Sequence, residues 1–371
     1  MKKKNLFILV ILIIVVLALI FWNLNKKEAD NKVIRIGVIS TLTGPASYYG
    51  KSTMMGAEVG KLVAESRFPN LKIELYHEDS LFSPKGGIDA YNKLRSINHI
   101  DAVITQASNI GVAVQPIALK DGILQVSASV LANNYSTAND LSFRLTAKAD
   151  LEIAPVVKYF KEKKFKKISI LAMNNEIGVS LSESLKKDLE GSDIKIVSYD
   201  SFPADSVDFK SQLSKIKLNN PDAIYLATVS VLTSNILKQA DNLGIVGPFF
   251  SYRGAEDPSL VNNAKYLASR LIYTNAFDSD SDNRETKDFV YYWKQKYNED
   301  SNGYAAEAYE SVLLIAEVFN QCGKDYNCIQ NNLNKIKNHP SVFGPYSFDI
   351  NGDVSYPFFL KTVKGDKFVK L

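Results

Sequence analysis

Gly44, Gly50, Lys51 and Ser52 form the segment most suggestive of chemistry, a glycine-bearing loop with a lysine and a hydroxyl between a β-branched run and a helical pattern. A phosphate-cradling loop has four residues between its glycines, whereas five stand between Gly44 and Gly50 here. The spacing argues against phosphate. His77, His99 and His339 are scattered and read as surface or strand-end residues. Glu78 and Asp79 are neighbours along a strand pattern, so their side chains point to opposite faces. Asp205 and Asp208 read as loop or helix-capping residues, as do Asp278, Asp280 and Asp282. The last cluster lacks the glycine and the closing glutamate of a calcium loop. The sequence has no Gly-x-Ser-x-Gly elbow, no His-Glu-x-x-His pair and no dinucleotide fingerprint. We therefore expect no enzyme, no cofactor and no metal.

Cys322 and Cys328 are the two cysteines of the chain. In an oxidising compartment they read as a local disulfide closing a short loop. Two free thiols are the alternative; with no histidine nearby and no second pair, zinc is excluded.

The elements that must position any site alternate regularly. Val33–Ser40 reads as a buried strand, Thr41–Gly50 as its exit loop, and Met55, Val59 and Leu62 as one face of a helix. Strand and helix patterns then alternate to about residue 145, and again from about 150 to 274. Two parallel-sheet lobes of similar plan are implied. Ligands of such sheets bind at the carboxyl ends of strands, so the 41–50 loop is a candidate wall. Helical patterns follow at Phe289/Trp293/Tyr297, Tyr304–Phe319 and Ile329/Leu333/Ile336. The tail reads as an antiparallel meander with turns inside Tyr346–Asp353 and Val363–Asp366.

At 371 residues the chain is too long for one ordinary core. Its formal charge of +4 comes from Lys and Arg interspersed with Asp and Glu, without the basic stripe that a nucleic-acid partner requires. Lys2, Lys3 and Lys4 precede an unbroken apolar run over 6–22. At about 1.5 Å per residue it spans roughly 25 Å, close to the thickness of the hydrocarbon core. It exceeds a signal-peptide core, and no small-x-small cleavage site follows closely. These features predict an uncleaved transmembrane anchor, with a cleaved signal as the alternative, a cytoplasmic N-terminus and a polar tether to residue 32; either way the bulk of the chain lies outside the cytoplasm.

The chain resembles the leucine/isoleucine/valine-binding family of type I periplasmic binding proteins. The matching residues are Ile36-Gly-Val, Leu42-Thr-Gly-Pro45, Tyr49-Gly50, Gly56-Ala57, Ser108, Gln115-Pro-Ile-Ala118, Gly122-Ile-Leu, Ser127-Ala-Ser129, Asp257-Pro-Ser-Leu260, Gly344-Pro-Tyr-Ser-Phe-Asp349 and Asn351-Gly-Asp353, covering nearly all of 33–371. The resemblance implies an α/β fold: two doubly wound parallel-sheet lobes joined by three crossing strands, with the ligand trapped between them by hinge closure. It implies lobe 1 at 33–145 plus 276–344, lobe 2 at 146–275 plus 345–371, and docking of the closed form on an ABC permease.

Amino-acid-binding members of that family hold the ligand carboxylate at the positions of Ser108 and Ser129. A threonine of their site falls at Leu131, a cleft tyrosine at Ile177, and the acidic partner of the ligand ammonium at Arg253; Glu256 replaces it if the loop shifts by three residues. Arg253 beside an ammonium would repel it by about 4 kcal/mol at ~4 Å and an effective dielectric near 20. Arg253 therefore either clamps an anionic solute through its fork or points to solvent. Tyr49, Tyr252 and Leu131 would supply apolar walls. The expected function is an extracytoplasmic, membrane-tethered binding protein of an ABC importer, taking a small amino-acid-like or carboxylate solute. A ligand sensor of the same fold is the main rival; an enzyme or an interaction-only cleft are weaker ones.

Overall fold

The computed structural model describes residues 32–371; the anchor expected over 6–22 lies outside them. Among the described residues no helix is long and apolar enough to cross a membrane.

Lobe 1 is built on a five-stranded parallel sheet of β1 (Val33–Ser40), β2 (Lys72–Asp79), β3 (Ala102–Gln106), β4 (Leu124–Ser129) and β5 (Ser142–Arg144), in the order β2-β1-β3-β4-β5. The central strands β3 and β4 are buried along their whole length, as expected of a sheet covered on both faces. One face carries α1 (Ser47–Arg67) and the long α10 (Gly303–Cys322), which share a core with Ile36, Val38, Ile104 and Val126. The other carries α2 (Pro84–Lys93) and α3 (Ser108–Lys120), where Tyr91, Ile110 and Val114 pack with Val103. Helices α9 (Arg284–Tyr297) and α11 (Tyr326–Asn334) complete the first layer. Helices α1 and α10 approach closely because Gly56 has no side chain: a Cβ there would lie 2.1 Å from the Ala305 carbonyl oxygen. Cys322 and Cys328 are joined by a disulfide between α10 and α11.

Lobe 2 holds a seven-stranded sheet, in the order β12-β11-β10-β9-β8-β6-β7. Its members are β6 (Lys167–Met173), β7 (Lys195–Phe202), β8 (Ala223–Ala227), β9 (Phe249–Ser251), β10 (Leu271–Asn275), β11 (Phe359–Lys364) and β12 (Lys367–Lys370). The strands are parallel from β7 to β10, and β11 and β12 add an antiparallel hairpin. Helices α4 (Ala149–Glu162) and α5 (Glu176–Leu189) cover one face through Ile153, Phe160, Leu181 and Leu185. Helices α6 (Lys210–Asn219) and α7 (Ser230–Asn242) cover the other, and α8 (Pro258–Ala264) packs beside α7. The chain passes between the lobes after β5, after β10 and before β11.

The meander expected of the tail forms only in part. The Gly365-Asp366 turn joins β11 to β12, but 346–353 makes no hairpin. There, Asp349 accepts the backbone N–H groups of Asn351 (2.8 Å) and Asp353 (3.0 Å), closing a side-chain-capped turn. Asp353 is drawn inward instead, to Arg144 Nε at 2.5 Å and to Lys148. Both oxygens of Asp353 thus serve the buried Arg144 and the first crossing segment, and the only ladder contact of the stretch among the described residues is the isolated antiparallel bridge of Tyr346 with His339.

Candidate functional site

The loop after β1 is fixed by polar contacts at its base. Asp79 accepts Leu42 N–H (3.0 Å) and the Thr43 hydroxyl (2.6 Å), and Gln106 Oε1 accepts Thr41 N–H (3.1 Å). This loop sets Tyr49, in the first turn of α1, against lobe 2. The Tyr49 hydroxyl donates to the Gly254 carbonyl (2.6 Å) and accepts Ser230 N–H (3.0 Å). The ring packs on Tyr304 at 4.8 Å between centroids. Burial raises the Tyr49 hydroxyl well above the ordinary phenol range.

Between the lobes these residues enclose a void of about 10 Å³, room for one water at most. Tyr49, Ser129, Leu131, Ile177 and Tyr252 all line it, joined by Phe82, Gln106, Ala107, Val229 and Tyr304. The two expected residues that do not line it are Ser108 and Arg253. The Ser108 hydroxyl accepts the N–H groups of Leu131 (3.0 Å) and Ala132 (3.2 Å), so it shapes the loop that carries Leu131. Asn175 caps α5 through Gly178 N–H (3.0 Å) and thereby positions Ile177. Outside the void, and sharing Phe82 with it, an open cavity of about 700 Å³ separates Asn109 and Asn133 of lobe 1 from Asn174, Glu176 and Glu183 of lobe 2.

Arg253 lies behind the lining and not in solvent, being 3% exposed. Its Nη2 donates to Ser129 Oγ at 2.8 Å, its Nη1 to Glu307 Oε1 of α10, and its backbone N–H to Glu152 Oε1 of α4 at 2.9 Å. Its guanidinium lies 4.8 Å from the Tyr304 ring centroid. The expectation that Arg253 points to solvent is therefore corrected, and a carboxylate already holds one arm of its fork. Burial pushes the Glu307 carboxyl up to about 7, and Arg253 offsets only part of that rise. Burial likewise raises Glu152. For Arg253 burial opposes the charge, but Glu307 beside it outweighs this and the guanidinium stays protonated. Glu256 is not the alternative partner, since it binds Lys361 (2.6 Å), Tyr273 (2.8 Å) and Asn275 (2.7 Å) within lobe 2.

A profile of the periplasmic binding proteins matches residues 33–367. The chain belongs to the periplasmic binding protein family. The Leu/Ile/Val-binding protein of Escherichia coli K12 is 25% identical over 350 residues, covering 91% of each chain. A branched-chain amino acid transporter substrate-binding protein from Streptococcus pneumoniae, solved with isoleucine, is 24% identical with a TM-score of 0.81, covering 92% of this chain and 100% of its own. An ABC-transporter solute-binding protein from R. palustris, solved with benzoate, is 18% identical with a TM-score of 0.83, covering 91% of this chain and 95% of its own. The last two likenesses concern the fold. The family binds solutes and is not one of enzymes.

For this periplasmic binding protein, sequence reading missed Glu307, Glu152, Tyr304 and Gln106. A signal for Glu307 existed: it interrupts the apolar helix Tyr304–Phe319 between Ala306 and Ala308, and a carboxylate in a helix that is buried all round needs a partner. Glu152 gave none, because a glutamate in the first turn of a helix ordinarily faces solvent. Arg253 Nε, Glu307 Oε2 and Glu152 Oε2 are buried without partners among the described residues, so this cluster is only partly satisfied.

Proposed function

We propose that this chain is the substrate-binding component of an ABC importer, taking a small carboxylate-bearing, amino-acid-like solute between its lobes. The carrying observation is the polarity of the lining. The Tyr252 and Tyr304 hydroxyls and the Gln106 side-chain nitrogen have no hydrogen-bond partner among the described residues, and no carboxylate lines the void. Three hydrogen-bond donors converge on a pocket otherwise walled by Leu131, Ile177, Val229 and Phe82, a setting suited to a carboxylate on an aliphatic or aromatic stem. An ammonium finds no direct acidic partner there, because Glu307 stands one layer back and is tied to Arg253. Solute enters when the lobes separate; Tyr49 and Arg253 fasten the closed form, whose void is too small to hold it.

The names of relatives bear on both halves of this reading. The Escherichia coli relative is named for Leu, Ile and Val, and the same fold in R. palustris was solved with benzoate, a carboxylate without an ammonium. We place the chain outside the cytoplasm, tethered by its apolar run 6–22. Transport is tested by uptake of labelled solute in cells lacking this chain. Uptake that persists unchanged would favour the rival role, a ligand sensor reporting to another membrane protein.

A further inference from the structure

Lobe 1 holds a second cavity, of about 370 Å³, sharing no residue with the interlobe lining. Its walls come from the end of α1 (Arg67, Phe68), the start of α9 (Glu285), one face of α10 (Tyr309, Glu310, Leu313, Glu317) and the segment after α11 (His339, Pro340). Glu310 is 4% exposed, and one of its oxygens accepts Val342 N–H at 2.9 Å. Tyr309 is 1% exposed, and its hydroxyl has no partner among the described residues.

The charges around the cavity do not balance. His339 has a carboxylate oxygen of Glu317 at 2.9 Å from Nε2 and the Pro340 carbonyl at 2.9 Å from Nδ1. Both neighbours are acceptors, so the ring carries two protons and forms a closed ion pair with Glu317. Arg67 and Glu285 have no ion-pair partner among the described residues and oppose each other in sign. One negative charge is left over, and Glu310 is the most buried of the three carboxylates, with a single hydrogen bond to the protein. Such a group calls for a cation or a proton.

We propose that this cavity is a second binding site for a small primary ammonium on an apolar stem. The ammonium donates to Glu310, and the stem lies along Phe68, Leu313 and Pro340. Arg67 at the rim leaves room for a carboxylate at the far end, so amino acids and plain amines share the head-group chemistry. The site is independent of the solute cleft.

The test is calorimetric titration of the full chain at pH 8 with n-butylammonium, with norvaline as the carboxylate-bearing arm and butyrate as the control. Saturable binding of n-butylammonium is expected, with none of butyrate. Glu310→Gln, which keeps an acceptor for Val342, should weaken binding roughly tenfold or more, the effect of losing one charged hydrogen bond. Glu285→Gln, which removes no protein hydrogen bond but one negative charge of the cavity wall, should weaken it about two- to fivefold. No saturation by tens of millimolar, or equal affinity in wild type and Glu310→Gln, would overturn the proposal.

Discussion

Arg253 of lobe 2 and Glu307 of lobe 1 form an ion pair across the cleft that is almost fully withdrawn from water, with side chains 4% and 0% exposed. The pair fastens the lobes together and neutralises the one arginine beside the solute void. Removing one partner of such a pair strands the other as a buried charge, at about 3–5 kcal/mol. Glu307→Leu should destabilise by that amount in denaturant unfolding, and Arg253→Met combined with Glu307→Leu should recover most of the loss.

Glu307→Gln is the subtler change. The amide retains a hydrogen bond to Arg253 but withdraws the negative charge. The affinity for 4-methylpentanoate should rise about tenfold, since the guanidinium is then free to favour an anion. Unchanged affinity in titration would show that Arg253 does not influence the solute.

Tyr49 makes the second fastening. Tyr49→Phe removes hydrogen bonds to Gly254 and Ser230 and leaves both backbone groups without that partner. The closed form should lose about 1–2 kcal/mol, shifting the population toward the open form by roughly 5- to 30-fold. Small-angle scattering should show a larger radius of gyration than for the wild-type protein at the same solute concentration.

Stability should depend on pH through the buried acids. Glu307 and Glu310 are each raised by burial from 4.5 to about 7. A raised carboxyl binds protons in the folded state that the unfolded state has lost, so stability falls as pH rises through that window, by at most roughly 3 kcal/mol per group. His339, raised by Glu317, acts in the same direction: its contribution is present at low pH and lost as pH rises through its folded value. Carboxylates held low, including Asp79 and Asp150, lose their contribution as pH falls instead. Urea unfolding should therefore find maximal stability at about pH 5–6, and Glu310→Gln should flatten the decline above it.

Helix contact in lobe 1 is tested by Gly56→Ala. The added methyl meets the Ala305 carbonyl oxygen, backbone that cannot rotate aside. Forcing α1 from α10 should cost about 1–3 kcal/mol, visible as a lower denaturation midpoint at constant slope.

Much of this architecture was legible in the sequence because strand and helix alternate with clean apolar periods, and Ser83-Pro84 and the glycines punctuate them. Ser83 caps α2 through Gly86 N–H at 3.0 Å. Sequence periodicity says nothing about which side chains meet across the cleft. Arg253 and Glu307 are 54 positions apart, and Tyr49 and Gly254 are 205 apart. Ser108 matched the family pattern by type and position, yet its hydroxyl oxygen accepts two backbone N–H groups and it does not line the void, which no spacing rule could reveal. The 346–353 stretch misled for a related reason: its turn residues are genuine, but buried Arg144 competes for Asp353.

The central claim, that the interlobe cleft takes a small carboxylate, is tested most directly by calorimetric titration of the protein with leucine, 4-methylpentanoate and 4-methylpentanamide. These ligands share a stem and differ only in the head group. Binding of 4-methylpentanoate more tightly than the amide or leucine, and its loss in Leu131→Trp, is the predicted result. Binding of the amide as tightly as the carboxylate, or binding that survives Leu131→Trp, would contradict it.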